Sequence, residues 1–315
     1  MEFVLLLPGQ GSQRVGMGKD LHDAFPAARE VFREVDDAVG DALSTLMFDG
    51  PVEELTRTHN AQPALLAHSA AVWAVLREVL ALNVGAAAGH SLGEFAAYHL
   101  AGAFNLRDAA HLVRQRGTLM FEYGMARPGA MAAIIGVLTT PIDEICTRAS
   151  AEAGLVVAAN YNSVEQVVIS GEVAGVECAM QLAKDAGAKR CLPLPVSGAF
   201  HSPLMAAAAP GLERELAAVH WSDPLVPVVA NVNAEVVRHA SRARALLLQQ
   251  LTAPVQWNRV MHRLIELHPH ATFLEIGSGQ VLAGLARRIA PSVKTATCGS
   301  VAEIEKLLTT IGAHV

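Results

Sequence analysis

A serine stands between two glycines, each two residues away, in Gly89-His90-Ser91-Leu92-Gly93, straight after the small apolar run Val84 to Ala88. A chain that leaves a strand and enters a helix over so few residues has no room for a Cβ at the flanking positions, hence the glycines. This pattern is the nucleophile elbow, which lifts the serine hydroxyl clear of the sheet and sets the next backbone N–H beside it. The helical run Glu94 to Ala101 follows, and a helix N-terminus favours negative charge, which is what a tetrahedral acyl intermediate carries. An ordinary glycine-rich turn is the competing reading, since the five-residue pattern also arises by chance. The apolar run before it and the helical run after it favour Ser91 as a nucleophile and the N–H of Leu92 as an oxyanion donor.

Bulk properties narrow the class. With 315 residues the chain suffices for one large domain or two moderate ones, and 52% hydrophobic with 17% charged residues reads as a globular α/β protein. No window reaches eighteen uninterrupted apolar residues, so no membrane span is expected. Met1-Glu2-Phe3-Val4-Leu5-Leu6-Leu7 lacks a basic leader and runs at once into Pro8-Gly9, as a first strand does and a signal peptide does not. Cys146, Cys178, Cys191 and Cys298 show no C-x-x-C spacing, so reduced thiols in the cytoplasm are expected. A net charge of −6 argues against nucleic acid as a general partner.

Along the chain, strand Phe3 to Leu7 feeds Pro8-Gly9-Gln10-Gly11, where glycines on both sides of Gln10 allow backbone to pass close to a ligand or a serine; a plain turn is the alternative. Helices are expected over Gly18 to Ala24, Pro26 to Val39, Gln62 to Val79 and Leu106 to Tyr123. The second core strand runs from Val84 to His90. Residues 128–196 change character and read β (Met131 to Val137), α (Pro141 to Ala153), β (Leu155 to Tyr161), β (Gln166 to Ser170), α (Val173 to Gly187), β (Lys189 to Leu194). That βαββαβ order is ferredoxin-like, inserted into a large α/β domain made of 1–127 and 197–315, with the ligand cleft expected between the two. Helix Leu204 to Val219, strand Val226 to Asn231, helices Arg242 to Leu251 and Gln256 to Leu267, strand Thr272 to Ile276 and helix Val281 to Ile289 return to the large domain, before a last strand and helix.

Two further residues emerge by chemistry. Ala109, Leu112, Val113 and Met120 recur at helical spacing, and Arg116 falls on their stripe while Arg114 points elsewhere. A guanidinium there must be paired, either with an internal carboxylate or with the carboxylate of a ligand in the serine's cleft. The serine also needs a base. Of thirteen histidines, His262 lies inside a helix, His268 and His270 precede a strand, and His314 is in the tail. His201, in the glycine-containing loop Val196-Ser197-Gly198-Ala199-Phe200-His201, sits where the chain leaves the small subdomain. No acidic residue is near it in sequence, so a Ser–His dyad aligned by a backbone carbonyl is expected.

Together these residues resemble the malonyl-CoA:acyl carrier protein transacylases and the acyltransferase domains of polyketide synthases. The resemblance spans nearly the whole chain through Pro8-Gly9-Gln10-Gly11-Ser12-Gln13, Gln62-Pro63-Ala64-Leu65, Gly89-His90-Ser91-Leu92-Gly93-Glu94, Arg116-Gly117 with Met120, Asn160-Tyr161-Asn162-Ser163, Gly198-Ala199-Phe200-His201-Ser202 and Pro254-Val255-Gln256-Trp257. It implies a hydrolase-like large domain with a parallel sheet and a ferredoxin-like insertion, with Ser91 as nucleophile and His201 as base. Backbone N–H groups of Gln10 and Leu92 would form the oxyanion hole, and Arg116 would take the malonyl carboxylate in a bidentate pair. A main-chain carbonyl near Gln256 would hold His201, with Gln62 and Asn162 in the pocket. An aromatic residue at Phe200 accompanies malonyl rather than methylmalonyl use in relatives, although a phenylalanine there can also simply pack against the hinge. Ser163-Val164-Glu165 departs from the Ser-Pro-Gly turn of many relatives.

The expected activity is ping-pong transfer of malonyl from malonyl-CoA to the phosphopantetheine thiol of an acyl carrier protein, by a monomer with no metal or other cofactor, in fatty acid synthesis. Carrier proteins are acidic, so a basic rim is expected from Lys189, Arg190, Arg287 and Arg288, which otherwise are merely solvated. A polyketide-pathway acyltransferase differs only in partner and extender unit. A serine esterase would share the elbow but has no reason to place an arginine on an apolar face. A non-catalytic carrier-binding module could lose Ser91 or His201, and both are present.

Overall fold

The computed structural model describes residues 1–196 and 198–312; the expected domain boundary at 197 and the tail with His314 lie outside them. Among the described residues ten strands, numbered in chain order, divide between two sheets. The large sheet contains β1 (Glu2–Leu7), β2 (Asn83–Gly89), β7 (Val228–Val229), β8 (Val236–Val237), β9 (Thr272–Ile276) and β10 (Lys294–Cys298), in the order β10-β9-β1-β2-β7-β8. All pairs are parallel except the β7–β8 hairpin. β1 is a continuous apolar run because both faces are covered, as parallel sheets require. Phe3, Leu5 and Leu7 enter the core shared with the long helices, while Val4 and Leu6 pack with Trp257, Val260 and Leu282 on the other side. From Gly85 on, β2 is built of alanines and glycines, Ala87 facing the first core and Ala86 and Ala88 the second.

The small sheet contains β3 (Ala130–Ile135), β4 (Val156–Ser163), β5 (Gln166–Gly171) and β6 (Arg190–Pro193), ordered β4-β5-β3-β6 and antiparallel throughout. With helices Ile142–Ala153 and Val173–Asp185 this is the ferredoxin-like arrangement. One face packs on those two helices through Ala132, Ile134 and Ile169. From the other face Met131, Ala133 and Val168 join the large core. β4 is also stitched to the segment around Val255, since Val255 N–H donates to the Ala159 carbonyl at 2.8 Å and Tyr161 N–H to the Val255 carbonyl at 2.9 Å. At Ser163-Val164-Glu165 the β4–β5 ladder pairs Ser163 with Gln166, so Val164 and Glu165 form the tip of a hairpin.

Several expected bounds move. The helix expected from Gln62 begins at Thr58 and runs to Val79, with Pro63 inside it. The helix expected over 204–219 is a 3₁₀ stretch, Pro203–Ala208, followed by helix Ala209–Ala218, whose second residue is Pro210; proline favours a first turn, so it marks a new start. The strand expected over 226–231 shrinks to two residues, starting only after Pro227, which has no N–H to donate, although the Pro227 carbonyl still accepts from Ala87 N–H at 2.9 Å. Short helices Leu43–Asp49 and Val52–Thr56, and strand β8, lack a periodic pattern long enough to show in the sequence.

Candidate active site

β2 ends at Gly89 and helix Leu92–Leu100 begins at once, leaving only His90 and Ser91 to turn the chain. A methyl group on Gly89 would overlap the Gly93 carbonyl, and one on Gly93 would overlap the Leu7 carbonyl, so both glycines are sterically required. Ser91 pays for the turn with φ 52° and ψ −107°, a strained conformation for a residue with a Cβ. Asn231 holds it there, its Oδ1 accepting from Ser91 N–H at 2.7 Å and its Nδ2 donating to the Gly89 carbonyl at 2.7 Å.

Ser91 Oγ–H donates to His201 Nε2 across 2.7 Å. His201 follows the hinge loop at φ 55°, and its Nδ1–H donates to the main-chain carbonyl of Gln250 at 2.9 Å. That bond assigns the proton to Nδ1 and leaves the Nε2 lone pair for the serine. The carbonyl expected near Gln256 is therefore six residues earlier. Helix Ala240–Gln250 ends there, and carbonyls of a last turn have no partner within the helix. Gln256 instead caps helix Trp257–Leu267, gives its own N–H to the Asn231 carbonyl at 2.8 Å, and is absent from the cavity wall. Burial, reinforced by the nearby Arg116 charge, pushes the His201 imidazolium down to about 3, so the ring is neutral and basic in form at neutral pH.

Arg116, on helix Leu106–Ala126, is 1% exposed, and its guanidinium carbon lies 5.2 Å from the Phe95 ring centroid. It donates to Gln62 Oε1 at 2.7 Å, Gln250 Oε1 at 2.9 Å and Ser91 Oγ at 3.2 Å. No ion pair involves it among the described residues: amide oxygens meet the charge, and the internal salt bridge considered from sequence is not formed. Burial lowers its pKa to about 10, with Glu94 opposing the shift, so it stays cationic. Arg114 differs, pairing with Asp41 at 3.2 Å and Asn60 at 2.7 Å.

These groups share a cavity of about 190 Å³ whose wall includes Gln10, Leu92, Arg116, Phe200 and both dyad residues. Leu92 is the first residue of the elbow helix, where N–H groups have no intrahelical acceptor. Gln10 is held by its side chain, Nε2 donating to Thr58 Oγ1 at 3.3 Å. Two expected pocket residues act from behind the wall: Gln62 through Arg116, and Asn162 through His90, whose Nε2–H donates to Asn162 Oδ1 at 2.8 Å. Asn160 lines the cavity in its place.

Gln250, Asn231 and Glu94 escaped the sequence reading. Gln250 is fully buried; its carbonyl holds His201, its Oε1 holds Arg116, and its Nε2 donates to the Ser91 carbonyl at 2.9 Å and to Glu94 Oε2 at 2.6 Å. A signal existed, because Gln250 falls on the stripe of Leu246 and Leu247, the same test that singled out Arg116.

A strained serine at a strand-to-helix turn, with a neutral histidine and a cation on one hydroxyl, is an arrangement suited to acyl transfer. The chain belongs to the acyl transferase domain family, whose model matches residues 4–306. It is 43% identical to the malonyl CoA-acyl carrier protein transacylase of Bacillus subtilis (strain 168), over 98% of this chain and 97% of the relative. The acyl-carrier-protein S-malonyltransferase of Bartonella henselae superposes with a TM-score of 0.93 at 44% identity, covering 99% of this chain and all of that one. A malonyl-transacylase solved in complex with a type II polyketide synthase acyl carrier protein matches at TM-score 0.93 and 40% identity, covering 98% and 100%.

Proposed function

We propose that the protein moves a malonyl group from malonyl-CoA to the phosphopantetheine thiol of an acyl carrier protein through a malonyl ester on Ser91, supplying fatty acid synthesis. The observation that carries the reading is one oxygen with two partners: Ser91 Oγ meets the His201 base at 2.7 Å and the Arg116 cation at 3.2 Å. As Oγ attacks the thioester carbonyl, His201 Nε2 takes its proton and returns it to the departing CoA sulfur. The thiol of the carrier then gives its proton to the same nitrogen and attacks the ester. The N–H groups of Gln10 and Leu92 receive the oxyanion in both halves, worth about 10²–10³ in rate per donor. Arg116 clamps the malonyl carboxylate, and a planar guanidinium suits that bidentate role.

Neither half reaction draws on a metal or redox group, and the proposed unit is a monomer. Among the described residues no helix is long and apolar enough to cross a membrane, and the four free thiols fit the reducing cytoplasm. The carrier's acidic surface would meet Lys189, Arg190, Arg287 and Arg288. Arg190 pairs across the small sheet with Ile135, which also pairs with Gln166, and Arg288 reaches Gln166 Oε1 at 3.5 Å, so these cations gather at one end of that sheet. Arg287 instead bonds Thr295.

A polyketide carrier is the second reading, favoured by the relative solved with one. Separating the half reactions tests both. Malonyl-CoA alone should release one equivalent of CoA, and holo carrier added afterwards should collect the malonyl group. CoA release that continues to water without a carrier would favour an esterase. Comparing fatty acid with polyketide carriers in the second step distinguishes the pathways.

A further inference from the structure

Glu94 lies in the first turn of the elbow helix and is completely buried. It does not cap that helix, since Ser91 N–H is taken by Asn231. Its Oε2 accepts from Gln250 Nε2 at 2.6 Å and from Asn231 N–H at 3.2 Å, while Oε1 has no partner among the described residues. The far end of the same Gln250 amide, Oε1, accepts from Arg116. One neutral amide thus bridges a buried carboxyl and the buried cation in the acyl cavity.

We propose that Glu94 is a specificity-tuning positioning residue, an internal counter-charge to Arg116 that competes with the free carboxylate of the acyl group for the same guanidinium. The inference rests on Arg116 receiving that carboxylate. A malonyl group brings a second negative charge to one cation in a low-dielectric site, where like charges repel strongly. The favourable response is for Glu94 to take a proton from solvent, after which Gln250 can still donate to it. An acetyl group brings no charge and asks nothing of Glu94.

Other groups facing the carboxyl keep their charge near neutrality. Arg116 stays cationic. Burial pushes the Tyr98 hydroxyl, one turn along the helix, well above its usual range; beyond it Arg242 is paired with Glu235. His201, across Gln250, and His90, on the cavity wall, are held neutral by burial. Glu94 itself is raised to about 7 by burial, so its charge changes between pH 6 and 8. Ionised Glu94 opposes malonyl, so preference for malonyl should fall as pH rises through that range.

The test is the ratio of kcat/KM for malonyl-CoA to that for acetyl-CoA, from pH 6 to 8, a ratio in which the common base and leaving thiol cancel. In the natural protein it should fall about fivefold or more with rising pH, a coupling of ordinary size between two sites. In Glu94→Gln, which keeps an acceptor for Gln250, it should be flat and at least as high as the acid value. A flat ratio in the natural protein overturns the inference even if the variant fails to fold, as does an unchanged slope in a folded Glu94→Gln. Arg116→Ala separates this from the underlying reading. Equal losses of malonyl and acetyl transfer would overturn both, whereas a collapsed ratio alongside a flat natural profile overturns only the role of Glu94.

Discussion

Phe200 shows how one side chain can be read two ways at the residue scale. It is 5% exposed and belongs to the main core, as a hinge-packing phenylalanine would, and it also lines the acyl cavity beside His201. An α-methyl on the acyl group would have to displace the ring or twist the thioester away from Ser91. Overpacking a filled site costs about 1–3 kcal/mol, so malonyl-CoA should outcompete methylmalonyl-CoA by roughly ten- to a hundredfold. Phe200→Ser should narrow that gap in a competition assay; an unchanged ratio with normal acylation would place selectivity on another wall of the pocket. Ser91, His201 and Arg116 could be found in the sequence because each breaks a local rule: a serine in a glycine turn, a histidine in a hinge loop, a cation on an apolar stripe. Gln250 breaks the same rule more quietly, as an uncharged amide on an apolar stripe, and Asn231 breaks none, since its bonds to Ser91 and Gly89 come from residues over a hundred positions away.

At the scale of elements, the elbow depends on two glycines that touch the backbone of neighbouring segments. Gly93 faces the carbonyl of Leu7 at the end of β1, so a methyl group there must push the elbow helix off the sheet. Gly93→Ala should lower stability by at least about 3 kcal/mol, in the range of severe core overpacking, with acylation lost in the folded fraction. Urea melts and CoA release measure the two effects; full stability with full activity would mean the elbow can relax. Strands and long helices were legible where an apolar run or a 3.6 period extended over five residues or more, as in β9 and helix Val281–Ile289, whose bounds match the sequence reading. The shortest elements were not, because β8 and the helices at 43–49 and 52–56 owe their form to tertiary contacts, and of the strand expected over 226–231 only β7 remains. The carbonyl for His201 was misplaced for a related reason: several turns lie between residues 250 and 256, and only packing decides which faces the ring.

For the whole molecule, burying titratable groups links stability to pH. His68 and His201 are fully buried, with imidazolium values pushed by desolvation to about 4 and about 3. Between pH 6.5 and 4 the unfolded chain binds protons that the folded chain does not, so stability falls with acidification, by on the order of 3 kcal/mol for each histidine at pH 4. Glu94 acts in the opposite sense: its value is raised from 4.5 to about 7, so the stability tied to its neutral form is lost as pH rises through that window. Urea unfolding at pH 7, 5.5 and 4 should therefore show a steeper acid loss in Glu94→Gln than in the natural protein; parallel curves would contradict this balance. His201 and Arg116 meet on the one oxygen of Ser91, and the most direct test is made on that oxygen. Intact-protein mass spectrometry after brief exposure to malonyl-CoA should show one added malonyl mass on the natural protein and none on Ser91→Ala. Labelling that survives in Ser91→Ala would contradict the account.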